Sequence, residues 1–173
     1  NDFELINNLP STSELAFGLM QSLFRKMILC HSKVIDHEKW EYRDVMGNQL
    51  AGKKIGCLGY GRLGRIFCKQ LSGFDVEIKV CEKENIELPK SIEKLEINQL
   101  FETCDAVAMH IHSNKENKNI INSNLLEKTK KGFILVNTSR GDLCNEYDIT
   151  NYIISGHLGG YGTDVLKTEF SDI

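Results

Sequence analysis

An α/β fold built on a doubly wound parallel sheet is predicted by three features of the sequence. Short apolar runs recur along the chain, Ile55-Gly-Cys-Leu58, Ala106-Val-Ala-Met109 and Phe133-Ile-Leu-Val136, each too short for a helix and suited to a strand buried on both faces. Segments with helical spacing separate these runs, and strands separated by helices pair in parallel through right-handed crossovers. The first run leads into Gly59-Tyr-Gly61-Arg62-Leu63-Gly64, a glycine-rich turn that opens a helix. At 173 residues, 41% of them hydrophobic, the chain fits one domain with an ordinary packed core.

Taken in order, Ser11-Thr-Ser-Glu14 has the form of a capping box, and it predicts a helix from Ser11 to about Leu29. Leu15, Leu19, Leu23 and Met27 share one side of it, widened by Phe17, Met20, Phe24 and Ile28. Core burial and a dimer seam both suit so broad an apolar face. His31 to Leu50 is polar and mixed around the single Trp40 and reads as a connecting excursion. Leu63, Ile66, Phe67 and Leu71 then give helical spacing from Arg62 to Leu71, and Val76 to Val80 alternates like a strand. Further on, the pattern predicts a helix over Ile97 to Cys104, a solvated loop over Lys115 to Asn122 and a helix around Leu125-Leu126. The remaining elements are a helix over Tyr147 to Ile154 and a last strand over Gly160 to Val165.

Charge is nearly balanced, with 21 Lys+Arg against 24 Asp+Glu, so no broad electropositive field exists to hold a nucleic-acid backbone or an anionic membrane. The cysteines, Cys30, Cys57, Cys68, Cys81, Cys104 and Cys144, are scattered without a CxxC pair, and only Cys30-His31 brings one close to a histidine. They read as reduced core thiols, and no metal site is expected. No stretch approaches the roughly 18 apolar residues of a membrane span, and no charged-then-apolar leader opens the chain, so a cytoplasmic location is expected. The chain starts at Asn1 and stops at Glu169-Phe-Ser-Asp-Ile173, which reads as a cut at both ends.

The glycine turn carries the clearest chemistry. Gly59 can make the tight turn, Gly61 leaves room for a pyrophosphate, and Gly64 lets helix and strand pack closely, while the helix N-terminus offers N–H groups and partial positive charge. A second strand ends at Val80-Cys-Glu82, 18 residues after Gly64, where a dinucleotide-binding fold places a carboxylate on the adenosine ribose. Glu82 there accepts from a 2′-OH and repels a 2′-phosphate, favouring NAD over NADP, with the neighbouring Lys83 weakening the preference; the alternative is a solvated strand-end carboxylate. Val136-Asn-Thr138-Ser139-Arg140-Gly141 is a buried strand ending in small polar residues and an arginine. Arg140 suits bidentate contact with a substrate carboxylate, or a surface pair with Asp142. Asp164 accepts from a carboxamide or caps the segment after it. His110, at the end of its strand, is a satisfied structural residue or a base.

From about Ser11 to Glu169 the sequence resembles the D-isomer-specific 2-hydroxyacid dehydrogenases, a family that includes phosphoglycerate, glycerate, D-lactate and formate dehydrogenases. Ser11 to Lys26 resembles the family's crossover helix into its cofactor domain. Gly47-Asn-Gln-Leu-Ala-Gly52-Lys-Lys-Ile-Gly56 resembles the lead-in to the glycine fingerprint, and Gly59 to Arg65 the fingerprint itself. Asp105-Ala-Val-Ala-Met-His110-Ile111 resembles the segment against the adenosine side of the cofactor, and Lys131 to Leu143 resembles the arginine signature.

The resemblance implies a Rossmann-type NAD-binding domain spanning 1–173, with 11–29 as crossover helix and the substrate domain and C-terminal segment absent. It implies Arg140 as the group that binds substrate carboxylate and carbonyl, and Glu169, 29 residues on, as the carboxylate that supports a proton-donating histidine lying beyond Ile173. The expected NAD-binding set is Gly59, Gly61, Arg62, Leu63, Gly64, Glu82, His110, Ile111, Thr138, Ser139 and Asp164. The expected partners are a small 2-hydroxy or 2-keto acid and a second copy of the chain, docked through the helix at Ser11 to Leu29. A non-enzymatic NAD-sensing corepressor of the same fold is the alternative, and Gly159 to Asp164 resembles the formate dehydrogenase branch, where a glutamine stands in place of Glu169. The sequence departs from the family at His112, where a proline is usual two residues after His110, and at Phe170, where a proline commonly succeeds the glutamate.

Overall fold

The computed structural model describes residues 8–167. Helix α1 spans Ser11–Phe24, α2 Met27–Ile35 and the short α3 Tyr42–Val45. Strand β1 (Lys54–Leu58) leads into α4 (Arg62–Leu71), followed by β2 (Glu77–Cys81), β3 (Ile92–Lys94), α5 (Ile97–Thr103) and β4 (Ala106–Met109). The chain continues through α6 (Ser123–Leu126), β5 (Phe133–Asn137), a single 3-10 turn at Gly141–Leu143, α7 (Glu146–Ile154) and β6 (Leu158–Thr163). The strands form one six-stranded sheet in the order β3-β2-β1-β4-β5-β6, and every pair is parallel. This is the doubly wound arrangement that the alternation of short apolar runs and helical segments predicts.

Two cores lie on opposite faces, and the strands' alternation divides residues between them. Ala106, Ala108, Ile134 and Val136 pack with Ala16, Met20 and Phe24 of α1 and Phe67, Cys68 and Leu71 of α4. Val107, Met109, Phe133 and Leu135 pack with Leu100 and Phe101 of α5, Leu125 and Leu126 of α6 and Ile149 of α7. A sheet covered on both faces explains why its central strands read as continuous apolar runs. The cysteines are all free, and burial raises the Cys57, Cys104 and Cys144 thiols, the last two to about 11, as expected for inert core thiols, whereas Cys30 and Cys81 are only partly buried.

The N-terminal helix differs from expectation in two respects. Its start at Ser11 is as predicted, but the capping box is not formed: Pro10 occupies the cap without a side-chain bond, and Ser13 is fully buried with its hydroxyl donating to the Leu63 carbonyl at 2.9 Å. Ser13 thus pins α1 to the first turn of α4. The predicted helix to Leu29 is also two helices, because Lys26 adopts a left-handed φ of 52°. Residues 44–48 pack onto the break, with Lys26 Nζ donating to the Asp44 carbonyl at 2.8 Å and the Asn48 amide to Phe24 at 2.7 Å.

α1 is therefore the core helix, lying against α4, β5 and β6. Gly160 and Gly162 on β6 make room for Leu23 and Leu19. α2 has no buried residue and leaves Met27, Ile28, Leu29, Val34 and Ile35 exposed, with Trp40, Tyr42 and Met46 nearby in sequence also exposed. The expected connecting excursion from His31 thus contains the rest of α2 and all of α3. β3, a three-residue edge strand, has no counterpart among the expected elements.

Candidate functional site

The register of the sheet assembles the site. Cys81 pairs with Leu58, Leu58 with Met109, Met109 with Asn137 and Asn137 with Thr163. These are the last residues of β2, β1, β4, β5 and β6, so the next residue after each, Glu82, Gly59, His110, Thr138 and Asp164, stands in one row along the carboxyl edge of the sheet. Each belongs to the predicted set. Ligands of doubly wound sheets bind beyond this edge, where the strand order reverses between β1 and β4.

The glycine turn sits at that reversal. Gly59 has φ +97°, and a Cβ there would lie 2.5 Å from the His110 carbonyl oxygen, so β1 and β4 leave the sheet in contact that only glycine permits. A Cβ on Gly64 would collide with the Gly59 carbonyl. Around Gly61, by contrast, nothing among the described residues lies within 4 Å of an added Cβ, and none of their side chains caps α4. The start of this helix is thus open to a ligand, and its amides suit a phosphate.

Glu82 reaches back to this turn. Its Oε2 accepts from the Tyr60 amide at 2.7 Å and its Oε1 from the Glu84 amide at 3.1 Å. Burial acts to raise this carboxyl, and donation by the Tyr60, Glu84 and Lys83 amides together with the Lys94 charge outweighs it, holding the group below the usual carboxylate range. Glu82 is therefore an anion fixed at the turn, with lone pairs left for a hydroxyl donor. Arg62 and Leu63 also make bonds on the α1 side of the turn: Arg62 Nη1 donates to the Leu9 carbonyl at 2.9 Å, and the Leu63 carbonyl accepts from Ser13 Oγ. Their side-chain and carbonyl bonds brace the turn against the chain leading into α1.

His110 stacks on Phe67 with ring centroids 5.0 Å apart, and both its ring nitrogens are buried without a hydrogen-bond partner among the described residues. It is therefore no satisfied structural histidine. Burial pushes its pKa down to about 4, so it is neutral at neutral pH and a weak base. Ile111 closes over Gly59, its Cγ2 2.8 Å from where a Cβ would stand. The loop beyond lacks the usual proline at His112 and is shaped by asparagines instead: Asn117 Nδ2 donates to the His112 carbonyl and the Asn114 amide to Asn117 Oδ1, both at 2.8 Å.

On the other side of the reversal, Thr138 is buried and its Oγ1 has no partner among the described residues. Ser139 Oγ donates to the Met109 carbonyl at 2.8 Å, linking β5's exit to β4's. Arg140 is exposed, and its Nη1 donates to the Ser139 carbonyl at 2.6 Å. It does not pair with Asp142, which accepts from Ser113 Oγ at 2.8 Å and lies 3.9 Å from Lys118 Nζ. Gly141 lets the chain after β6 pass against the arginine segment, since a Cβ there would collide with Leu166 and Lys167. Asp164 is exposed at β6's end. Glu169 and Phe170 lie outside the described residues.

An uncapped helix start, an open approach at Gly61, a fixed carboxylate at Glu82 and an orphaned hydroxyl at Thr138 fit a dinucleotide laid along the strand ends. The sequence of residues 17–172 matches the family described as D-isomer specific 2-hydroxyacid dehydrogenase, NAD binding domain. The chain belongs to this family. A 2-hydroxyacid dehydrogenase A from Aspergillus oryzae is 34% identical over 95% of the chain and 49% of its own length, and a hydroxypyruvate reductase from Thermotoga maritima is 30% identical over 92% of the chain and 52% of its own. An NAD-dependent formate dehydrogenase from Staphylococcus aureus, solved in complex with NAD, superposes with a TM-score of 0.89 at 27% identity, over 96% of the chain and 50% of that structure. The chain spans about a third to a half of the length of the curated relatives it matches. Among the described residues no helix is long and apolar enough to cross a membrane, and no cluster of three or more His, Cys, Asp or Glu side chains could hold a metal ion.

One residue that shapes this site carries no prediction from sequence. Asn137 is fully buried beneath Arg140, and its only signal is a polar residue at the end of an apolar run.

Proposed function

We propose that this domain holds the cofactor of an NAD-dependent enzyme interconverting a D-2-hydroxy acid and its 2-keto acid. The observation that carries the reading is Arg140 standing exposed and without an ion pair among the described residues, at the exit of the strand two places from the glycine turn. Bound NAD supplies the acceptor or donor of hydride. Gly59, Gly61 and Gly64 shape the turn, the first-turn amides of α4 bind the pyrophosphate, and Glu82 accepts from the adenosine ribose. His110 and Ile111 line the adenosine side, and Thr138, Ser139 and Asp164 the nicotinamide side. Arg140 binds the substrate carboxylate and stabilises negative charge developing on the carbonyl oxygen. Glu169 supports a proton-donating histidine supplied from beyond these residues. A cytoplasmic location accords with the free cysteines.

The deciding experiment combines NADH fluorescence titration of the full-length protein with turnover on hydroxypyruvate, pyruvate, glyoxylate and formate. Binding with reduction of a 2-keto acid is expected. Binding without turnover would favour an NAD-sensing protein, oxidation of formate alone would favour the formate branch, and no binding would overturn the cofactor assignment.

Homodimerisation belongs to the same proposal, with α2 as the seam. Its sequence is apolar and none of its residues is buried within the domain. A monomeric mass by light scattering at about 50 μM full-length protein would sink this part of the reading.

A further inference from the structure

We infer that Asn137 is a positioning residue for Arg140: its carboxamide fixes the main chain on both sides of the arginine and so sets where the guanidinium can go. The inference rests on the proposed role of Arg140.

Asn137 is fully buried at the last position of β5. Its Nδ2 donates to the Arg140 carbonyl at 2.9 Å, and its Oδ1 accepts from the Ser139 amide at 3.0 Å. One planar group thus closes a loop over Thr138 to Arg140, satisfying a donor and an acceptor of the segment at once. The same Nδ2 lies 3.4 Å from Tyr161 Oη and 3.4 Å from Cys144 Sγ, and the Asn137 carbonyl accepts from Thr163 Oγ1 at 2.8 Å. The arginine loop is in this way keyed to β6 and to the turn before α7. Every polar atom of the side chain is spent on main chain or buried neighbours, which leaves it no contact with a ligand of its own. Aspartate would lack the donor that Arg140's carbonyl needs, and serine is too short to bridge both partners.

The test uses full-length protein and two ligands: NADH, and oxamate titrated into the NADH complex as a carboxylate-carbonyl probe that takes no hydride. Asn137→Ser is expected to weaken oxamate binding, and to raise KM for the reduced 2-keto acid, by about tenfold, with NADH affinity held within about threefold. In an Arg140→Ala background the same change should cost less than about twofold, because the residue through which it acts is gone. Unchanged oxamate affinity, loss of NADH and oxamate binding in parallel, or a full additional loss in the Arg140→Ala background each overturn the inference. Should Asn137→Ser fail to fold, Tyr161→Phe removes only the hydroxyl beside Nδ2 and should weaken oxamate by about threefold, and no change there counts against the idea. Wild-type protein that binds NADH but neither oxamate nor any 2-keto acid overturns the dehydrogenase reading itself, and is told apart because the failure precedes any substitution.

Discussion

At the exit of β1 the site is shaped by side chains that are missing, and at the exit of β5 by side chains that are present. Gly59 and Gly64 have no Cβ where one would strike the His110 and Gly59 carbonyls, and the turn depends on that close approach. The Thr138 to Arg140 segment is held by the Asn137 carboxamide, the Ser139 hydroxyl and the room above Gly141. A half built from close backbone approach tolerates no added atom but does not depend on any one hydrogen bond. A half built from side-chain bonds tolerates changes of size better and depends on donor and acceptor identity. The contrast assigns different failure modes to the two sides of one cleft: loss of cofactor and fold at the turn, loss of substrate handling at β5.

The largest expected effect tests the first half. Gly64→Ala should destabilise the domain by about 3 kcal/mol and abolish NADH binding, read by urea titration and fluorescence; wild-type affinity would show that the turn can yield and would remove the contrast. Next, Arg140→Lys should lower kcat/KM for the 2-keto acid about 100-fold while leaving NADH affinity and melting temperature near wild type, since lysine keeps the charge and loses the bidentate fork. A parallel loss of NADH affinity would merge the two halves.

A third expectation concerns His110, which stands between them. Its folded pKa of about 4 lies below the ordinary 6.5 because burial disfavours the imidazolium, so the unfolded chain binds the proton more readily. Stability from the neutral ring is complete above pH 6.5 and falls as pH drops from 6.5 toward 4. The loss is on the order of 2 kcal/mol, less than the full shift because the surroundings of the ring relax around the charge. Urea unfolding of wild type and His110→Leu across this range checks it, and identical slopes would refute it. The smallest effect is that of Glu82→Gln, expected to weaken NADH about tenfold and NADPH much less, and an equal loss for both would leave the ribose assignment without support.

Legibility divides along the same line. The glycine turn, the exits of β1, β2, β4 and β5 and the division into strand and helix can be read from the sequence, because backbone sterics and two-sided burial leave local marks: three glycines at fixed spacing, continuous apolar runs, a carboxylate at a strand's end. The last strand, expected over Gly160 to Val165, lies two residues earlier at Leu158–Thr163, as its glycines and small residues give no continuous apolar run to fix its ends. β3 leaves no such mark, since of Ile-Glu-Lys at a sheet edge only Ile92 packs against the core and three residues are too few to show an alternation. The capping box at Ser11 has the right letters and another use, because burial against α4 offers Ser13 a partner that the local turn does not. The break at Lys26 is likewise invisible, as it depends on residues 44–48 folding back onto Phe24 and Arg25. Asn137 gives only the hint of a polar residue closing an apolar run, for its partners at Cys144 and Tyr161 come from elements further along the chain.

The sequence by itself determined the alternation of the central strands and helices, the glycine turn and the family, all of which rest on local backbone constraints and on which residues must leave water. Tertiary structure alone decided that α1 is core while α2 stays exposed, that Glu82 is anchored by the Tyr60 amide, and that Arg140 is held through Asn137 and unpaired with Asp142. Those outcomes depend on hydrogen bonds and contacts between residues distant in the chain, and a polar group taken out of water accepts whichever partner the packed fold brings within reach.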